Sequence, residues 1–346
     1  MSKRVMTVIG TRPQFIKAAP LSSALEASGI EEKIIHTGQH FDTNMSQVFF
    51  EELNVPKPHF HLEVNNLPHG AMTGRMMEQI EHLLLEDTPD MMLVYGDTNS
   101  TLAGALSASK LGIPIAHVES GLRSFNRAMP EETNRILTDH LSSALFCPTK
   151  ESINNLHREG ITDGVHLSGD VMFDATIAAT RRAALHSRVL DQLALKPKTY
   201  AVATIHRAEN TDDLARFKRI IAYLEERSEK TEIIMAVHPR TRKTMERHNI
   251  APRGIQLIEP LGYIDMCWLA NNAEHIYTDS GGLQKEAYFH KVPCTTLRDE
   301  TEWVETVSSG WNQLWTSNSD RPRRSEILDY GDGTAAQLIA NVIARS

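Results

Sequence analysis

The sequence predicts an α/β protein built as two doubly wound parallel-sheet domains, and three observations carry that prediction. Short apolar, β-branched runs alternate with longer segments of helical period, which is the signature of parallel βα units. The alternation occurs twice, on either side of a stretch at 184–198 where charge and Lys196-Pro197-Lys198 interrupt the helical pattern. The length of 346 residues also exceeds the roughly 250–300 at which a single core stops growing.

In the first half the apolar runs predict strands near 5–9, 33–36, 91–95, 115–118 and 144–147. Segments of helical period between them predict helices at 15–27, 71–85, 100–111 and 131–141. The second half repeats the pattern, with strands near 200–204, 233–237, 256–258 and 276–278 and helices at 213–227, 241–248, 264–271 and 283–289. The hinge is expected within 184–198. In open parallel sheets ligands bind beyond the carboxyl ends of the strands, so the residues just after each strand are expected to carry the chemistry.

Composition excludes several classes. Thirty-six Lys plus Arg against forty-four Asp plus Glu leave a formal net charge of −8, the wrong sign for a protein that neutralises many phosphates of a nucleic acid. Three cysteines, Cys147, Cys267 and Cys294, form no CxxC pair, which argues against a disulfide framework or a zinc knuckle and fits a reducing compartment. No apolar run approaches the ~18–20 residues of a membrane span, and no signal-like segment follows Lys3-Arg4, so a soluble, unprocessed cytoplasmic protein is expected. The short basic cluster Arg321-Pro322-Arg323-Arg324 reads as a solvated loop.

Three groups of residues after strands are candidates for chemistry. Gly10-Thr11-Arg12-Pro13-Gln14-Phe15-Ile16-Lys17 is a glycine turn with two cations opening a helix, suited to an anion. Thr278-Asp279-Ser280-Gly281-Gly282 ends a strand and opens another helix, and Glu286 lies one turn further on, suited to a ribose hydroxyl. Together these features fit a nucleoside diphosphate, although no GxGxxG follows a strand. The third group is acidic: Asp97 and Glu119, after consecutive strands, and Glu131, after Pro130. Carboxylates around one pocket supply a proton donor and an acceptor, although Asp97 and Glu131 also suit helix starts. His206, with Arg207, and His238, before Pro239-Arg240, follow strands of the second half. No H-x-x-x-H spacing on one helix supports a metal, and none is expected.

Taken together these segments resemble the non-hydrolysing UDP-N-acetylglucosamine 2-epimerases over nearly the whole chain. The resemblance rests on Gly10-Thr11-Arg12-Pro13-Gln14, Thr37-Gly38-Gln39-His40, Gly96-Asp97-Thr98, the 117–124 run from His117 to Ser124, the 130–135 run from Pro130 to Arg135, the His206 segment, His238-Pro239, Ser280-Gly281-Gly282 and Leu297-Arg298-Asp299. It implies the GT-B architecture, two Rossmann-like domains with the active site in the cleft between them. The expected division is 1–185 with the catalytic carboxylates, 199–325 for UDP, and a helix in 326–346 packing back on the first domain.

The implied reaction is elimination of UDP from C1 with loss of the C2 proton, giving a glycal, followed by re-addition of UDP and reprotonation from the opposite face. It calls for a base, an acid and a diphosphate clamp, but no cofactor. By motif, Asp97, Glu119, Glu131 and His206 become the catalytic set, with acid and base not apportioned among the carboxylates. Arg12, Lys17, His206, Ser280, Gly281, Gly282 and Glu286 become the UDP contacts. Gln39, His40, Arg123, Arg127, Asn134, Arg135, His238, Arg240 and Arg298 are further candidate substrate contacts.

The sequence also departs from the family pattern. A second arginine after the motif histidine is Ala208, and Thr-Thr-Glu-Arg-Pro-Glu is replaced by the 300–305 run Glu-Thr-Glu-Trp-Val-Glu. With Phe41-Asp42-Thr43-Asn44-Met45, these changes resemble the branch acting on UDP-2,3-diacetamido-2,3-dideoxyglucuronate, whose carboxylate Arg127, Arg240 or Lys285 would meet. A homodimer serving polysaccharide biosynthesis is the family expectation.

Overall fold

The computed structural model describes residues 2–39, 55–317 and 321–346. The chain divides into two compact units, Met1–Ala175 with Leu328–Ser346, and Thr176–Ile327.

The first unit is organised on strands β1 (Arg4–Ile9), β2 (Glu31–His36), β3 (Phe60–His61), β4 (Met91–Tyr95), β5 (Ile115–Val118), β6 (Ala144–Cys147) and β7 (Val165–Leu167). They form one parallel sheet in the order β3-β2-β1-β4-β5-β6-β7. Its helices are α1 (Arg12–Ala27), α2 (His69–Glu86), α3 (Asn99–Lys110), α4 (Pro130–Leu141) and α5 (Lys150–Arg158), and α6 (Val171–His186) begins in it.

The second unit contains α7 (Val189–Gln192), β8 (Tyr200–Thr204), α8 (Ala208–Thr211), α9 (Leu214–Ser228), β9 (Glu232–Ala236), α10 (Pro239–Arg247), β10 (Ile255–Ile258), α11 (Tyr263–Asn271), β11 (His275–Thr278), α12 (Gly281–Phe289), β12 (Cys294–Thr296) and α13 (Val304–Ser308). Its strands run parallel in the order β10-β9-β8-β11-β12. The apolar runs seen in the sequence have a direct cause here. Tyr200, Val202 and Ile234 enter the core on one face, while Ala201, Ala203, Ile233 and Met235 enter the core on the other. A parallel sheet covered on both faces has no polar side to alternate with.

In each sheet the strand order reverses once, at β1/β4 and at β8/β11. Loops leaving such a pair diverge, and the crevice they open is the usual ligand position of a doubly wound sheet. The division between units falls inside α6, ahead of the 184–198 stretch where the sequence pattern is interrupted.

The last helix, α14 (Ala335–Arg345), belongs to the first unit and packs against α1. Its first two N–H groups, of Ala335 and Ala336, donate to Asp174 on α6 at 3.2 and 2.9 Å. Burial pushes the Asp174 carboxyl up to about 6, against those hydrogen bonds. A folded value above the unfolded one means the fold favours the protonated form, so stability from this group is lost as pH rises through about 6. Wild type is therefore expected to lose roughly 1–3 kcal/mol relative to Asp174→Asn between pH 5 and 7.5. Denaturant midpoints of the two proteins running parallel over that range would refute the assignment.

Candidate active site

Both switch points carry the residues singled out in the sequence. At the first, the β1 and β4 loops are tied by Gln14. Its Oε1 accepts from the N–H groups of Gly10 (2.8 Å) and Thr11 (3.1 Å), and its Nε2 donates to the carbonyl of Tyr95 (2.9 Å) and the hydroxyls of Thr98 and Thr101 (both 3.0 Å). These two amides, expected to face an anion, are thus satisfied internally. Gly10 is needed for a different reason: a β-carbon there would collide with the hydroxyls of Thr37 and Ser100. Arg12 opens α1 and is half-buried.

Asp97 and Glu119 leave adjacent parallel strands, paired through Tyr95 and Val118. Arg135 on α4 reaches Asp97 at 2.5 Å, and Lys17 on α1 pairs with Glu119, both side chains of that pair being largely buried. Lys17, expected beside a phosphate, thus neutralises a carboxylate instead. Burial holds the Asp97 carboxyl above the usual aspartate range, assisted by the Glu119 charge and opposed by Arg135 and Lys17. Glu119 has φ of 68°, left-handed backbone that a non-glycine residue adopts at a cost. Its N–H and that of Ser120 both donate to the Phe146 carbonyl, 3.1 Å, on the next strand.

Glu131 and Glu132 occupy the first turn of α4 and do different work. Glu132 accepts from Ser124 N and Oγ and from Phe125 N, each at 2.9 Å, and from Arg135 at 3.0 Å. Burial alone would raise its carboxyl, but these hydrogen bonds outweigh it and hold it below the usual range. Glu131 is half-buried and takes no hydrogen-bond or ion-pair partner among the described residues.

Two of the candidate substrate contacts, Arg123 and Asn134, are engaged within the fold. The Arg123 side chain is 1% exposed and spends its donors on the Leu122 carbonyl, Asp139 and Glu159 at 2.7–2.8 Å, so it is a buried strut. Asn134 is buried and donates to the Asp97 carbonyl at 2.9 Å, which shapes the loop beneath Asp97. Gln39 accepts from Ser100 N (3.1 Å) and Oγ (2.7 Å), fastening its loop to α3. His40 and the Phe41-Asp42-Thr43-Asn44-Met45 segment lie outside the described residues. Arg127 is exposed and has no partner among the described residues.

His117, which opens the 117–124 run, has a structural role. It is fully buried, with Nδ1 2.7 Å from Asp139 and Nε2 2.8 Å from the Gly96 carbonyl, and so holds the residue before Asp97. Its place inside a strand made it indistinguishable from a core histidine.

At the second switch point the organiser is Asp279, also given no role from sequence. It is fully buried after β11 and accepts from His206 N at 3.0 Å, Arg207 N at 3.0 Å and Asn210 Nδ2 at 3.0 Å, with His206 Nδ1 at 2.9 Å. Burial opposes its ionisation, but the His206 partner and these amides hold its carboxyl below the usual range. With Nδ1 facing Asp279, His206 keeps Nε2 for another partner, and its side chain is 40% exposed.

His238 caps α10, its Nδ1 accepting from Arg240 N at 3.2 Å, and its ring centroid lies 5.8 Å from that of His206. Burial pushes His238 down, with help from His206 and Arg240 and against the Asp279 charge. Arg240 pairs loosely with Asp212 at 3.5 Å.

Ser280 caps α12, its hydroxyl accepting from Leu283 N at 3.3 Å. Gly281 and Gly282 follow with N–H groups that take no acceptor among the described residues. A β-carbon on Gly282 would make only ordinary contact with the Ser280 hydroxyl at 3.9 Å, whereas one on Gly281 would strike Glu302. Glu286 is 8% exposed on the same helix, next to Tyr263. Arg298, another candidate contact, is 7% exposed and paired with Glu302 at 2.7 Å and Glu209 at 3.5 Å.

Among the described residues no group of three or more His, Cys, Asp or Glu is placed to hold a metal ion. No helix among them is long and apolar enough to cross a membrane.

Comparison with known proteins bears on the family and the fold. The sequence model of the family described as UDP-N-acetylglucosamine 2-epimerase matches residues 23–344. A Methanococcus maripaludis UDP-N-acetylglucosamine 2-epimerase homolog is 51% identical, covering 98% of this chain and 99% of its own. The UDP-2,3-diacetamido-2,3-dideoxy-D-glucuronate 2-epimerase of Pseudomonas aeruginosa is 46% identical, with 99% of each chain covered. Among solved structures, the Methanocaldococcus jannaschii UDP-GlcNAc 2-epimerase in complex with UDP-GlcNAc and UDP superposes with a TM-score of 0.87 at 42% identity, covering 99% of this chain and 100% of that one.

Proposed function

Since the chain belongs to the UDP-N-acetylglucosamine 2-epimerase family, whose members are isomerases on GT-B-type paired parallel sheets, we propose that its two switch points divide one elimination and re-addition. The enzyme is a non-hydrolysing 2-epimerase of a UDP-2-acetamido sugar. The substrate is UDP-N-acetylglucosamine, converted to UDP-N-acetylmannosamine. A second reading, the same reaction on UDP-2,3-diacetamido-2,3-dideoxyglucuronate, is favoured by the Pseudomonas relative and by Arg127, exposed and without a partner among the described residues.

The observation that carries the mechanism is the adjacent pair Asp97 and Glu119, one carboxyl raised by burial and the other paired with Lys17. Two acids in unlike environments are what a proton donor and a proton acceptor require. No carbonyl flanks C2, so its proton leaves only as the C1–O bond breaks. The C–H electrons form the C1=C2 double bond, and the C1–O pair departs on UDP. Re-addition reverses each change, with the proton delivered to the opposite face. Asp97, Glu119 and Glu131 move the proton. His206, oriented by Asp279, and Arg12 take the charge that develops on the departing diphosphate, with Ser280, Gly281 and Gly282 holding phosphate and Glu286 the ribose.

Turnover in heavy water tests this directly. Product is expected to carry solvent deuterium at C2 and to be recovered as intact nucleotide sugar. Product without that label refutes the elimination, and free sugar with UDP points to a hydrolysing enzyme. Comparing the two candidate substrates, then Arg127→Ala, decides the branch: the variant should lose the uronate substrate selectively. The working form is a cytoplasmic homodimer supplying polysaccharide biosynthesis.

A further inference from the structure

The N-terminus of α12 has a donor that neither the fold nor the roles above account for. Trp303 is 6% exposed, and its Nε1–H has no hydrogen-bond partner among the described residues. That nitrogen lies 3.7 Å from the position a β-carbon on Gly281 would occupy, so it stands against the first turn of the helix, where the N–H groups of Gly281 and Gly282 take no acceptor among the described residues. A buried indole N–H without a partner costs free energy, and such groups are normally paired.

The ring itself is held in place. Lys285, 2% exposed, stands 4.0 Å from its centroid, and the Trp303 backbone N–H donates to the Thr301 hydroxyl at 3.2 Å. Glu302 also lies against Gly281, but its carboxylate is engaged by Arg298 at 2.7 Å and approached by Arg207 at 3.9 Å. Burial would raise the Glu302 carboxyl, yet Arg298 outweighs that and keeps it below the usual range. Its charge is thereby offset rather than left facing the helix terminus.

We propose that Trp303 is a phosphate ligand: its Nε1–H donates to an oxygen of the nucleotide's terminal phosphate, the one whose bond to the sugar breaks and re-forms. This rests on the reading of the site as one for a UDP-sugar. The partial positive charge at the start of a nine-residue helix, two amides with no acceptor among the described residues and one rigid neutral donor would then serve that phosphate together. A neutral donor suits this position. It stabilises the departing charge without competing with Arg298 for Glu302, as a third cation would.

Trp303→Phe retains the ring over Lys285 and deletes only the N–H. It is expected to weaken UDP binding about tenfold, the worth of one hydrogen bond to a charged group, while uridine and UMP bind within twofold of wild type. The second measurement needs no folded variant. In wild-type protein with ¹⁵N-labelled tryptophan, the Trp303 indole proton should move downfield and exchange more slowly on adding UDP, but not uridine. Equal UDP affinity in the two proteins, equal weakening of UDP, UMP and uridine, or an indole signal indifferent to UDP overturns the proposal. Wild type that binds UDP but gives these results leaves the epimerase reading standing, whereas wild type that binds no UDP overturns both.

Discussion

Asp97→Asn and Glu119→Gln are each expected to lower kcat by about 10²–10⁴, the range that positioned proton transfer contributes. UDP affinity should change little, because neither carboxylate is assigned to the diphosphate. The two variants differ in a second respect. Asp97 is held above the usual aspartate range by burial, with the Glu119 charge adding to it. Removing that charge favours ionised Asp97, so whichever limb of the kcat/KM profile reports Asp97 should move to lower pH in Glu119→Gln. Glu119→Gln also leaves the largely buried Lys17 ammonium without its counter-charge, which predicts a loss of stability that Lys17→Met in the same chain restores. An Asp97→Asn enzyme within tenfold of wild-type kcat would remove Asp97 from the proton-transfer set.

Asp279→Ala is expected to be the most damaging single change in the second unit. It leaves the N–H groups of His206 and Arg207, the Asn210 amide and the His206 ring without their common acceptor in a fully buried position. Stranding that many buried donors costs roughly 3–5 kcal/mol. The loop carrying His206 then loses its fixed geometry, so UDP affinity should fall at least tenfold even where the protein remains folded. Calorimetry with UDP, alongside thermal unfolding, separates the two effects. A variant that is destabilised but binds UDP normally would make Asp279 a structural residue only.

Several of these groups were legible in the sequence for a common reason. Asp97, Glu119, His206 and Ser280 each follow an apolar run too short to be anything but a strand, and the residue after a parallel strand lies on the sheet's ligand edge. The strands β3 and β7, of two and three residues, were not legible, because so few positions carry no period. Arg123 looked like a ligand for the same reason that Arg12 did, a cation in a loop beside a motif. Only the folded chain places Asp139 and Glu159 around its guanidinium.

Local sequence thus determined the two doubly wound sheets and which loops carry acids, cations and glycines, since periodicity and turn chemistry act over a few neighbouring residues. Tertiary structure decided which charges are spent. Lys17 meets Glu119 across 102 positions, Asp279 gathers a loop about seventy residues earlier, and the Trp303 indole N–H lies near Gly281 with no partner among the described residues. Whether a charged or polar group is free to meet substrate depends on which partners folding brings within hydrogen-bond distance, and that distance has no counterpart along the chain.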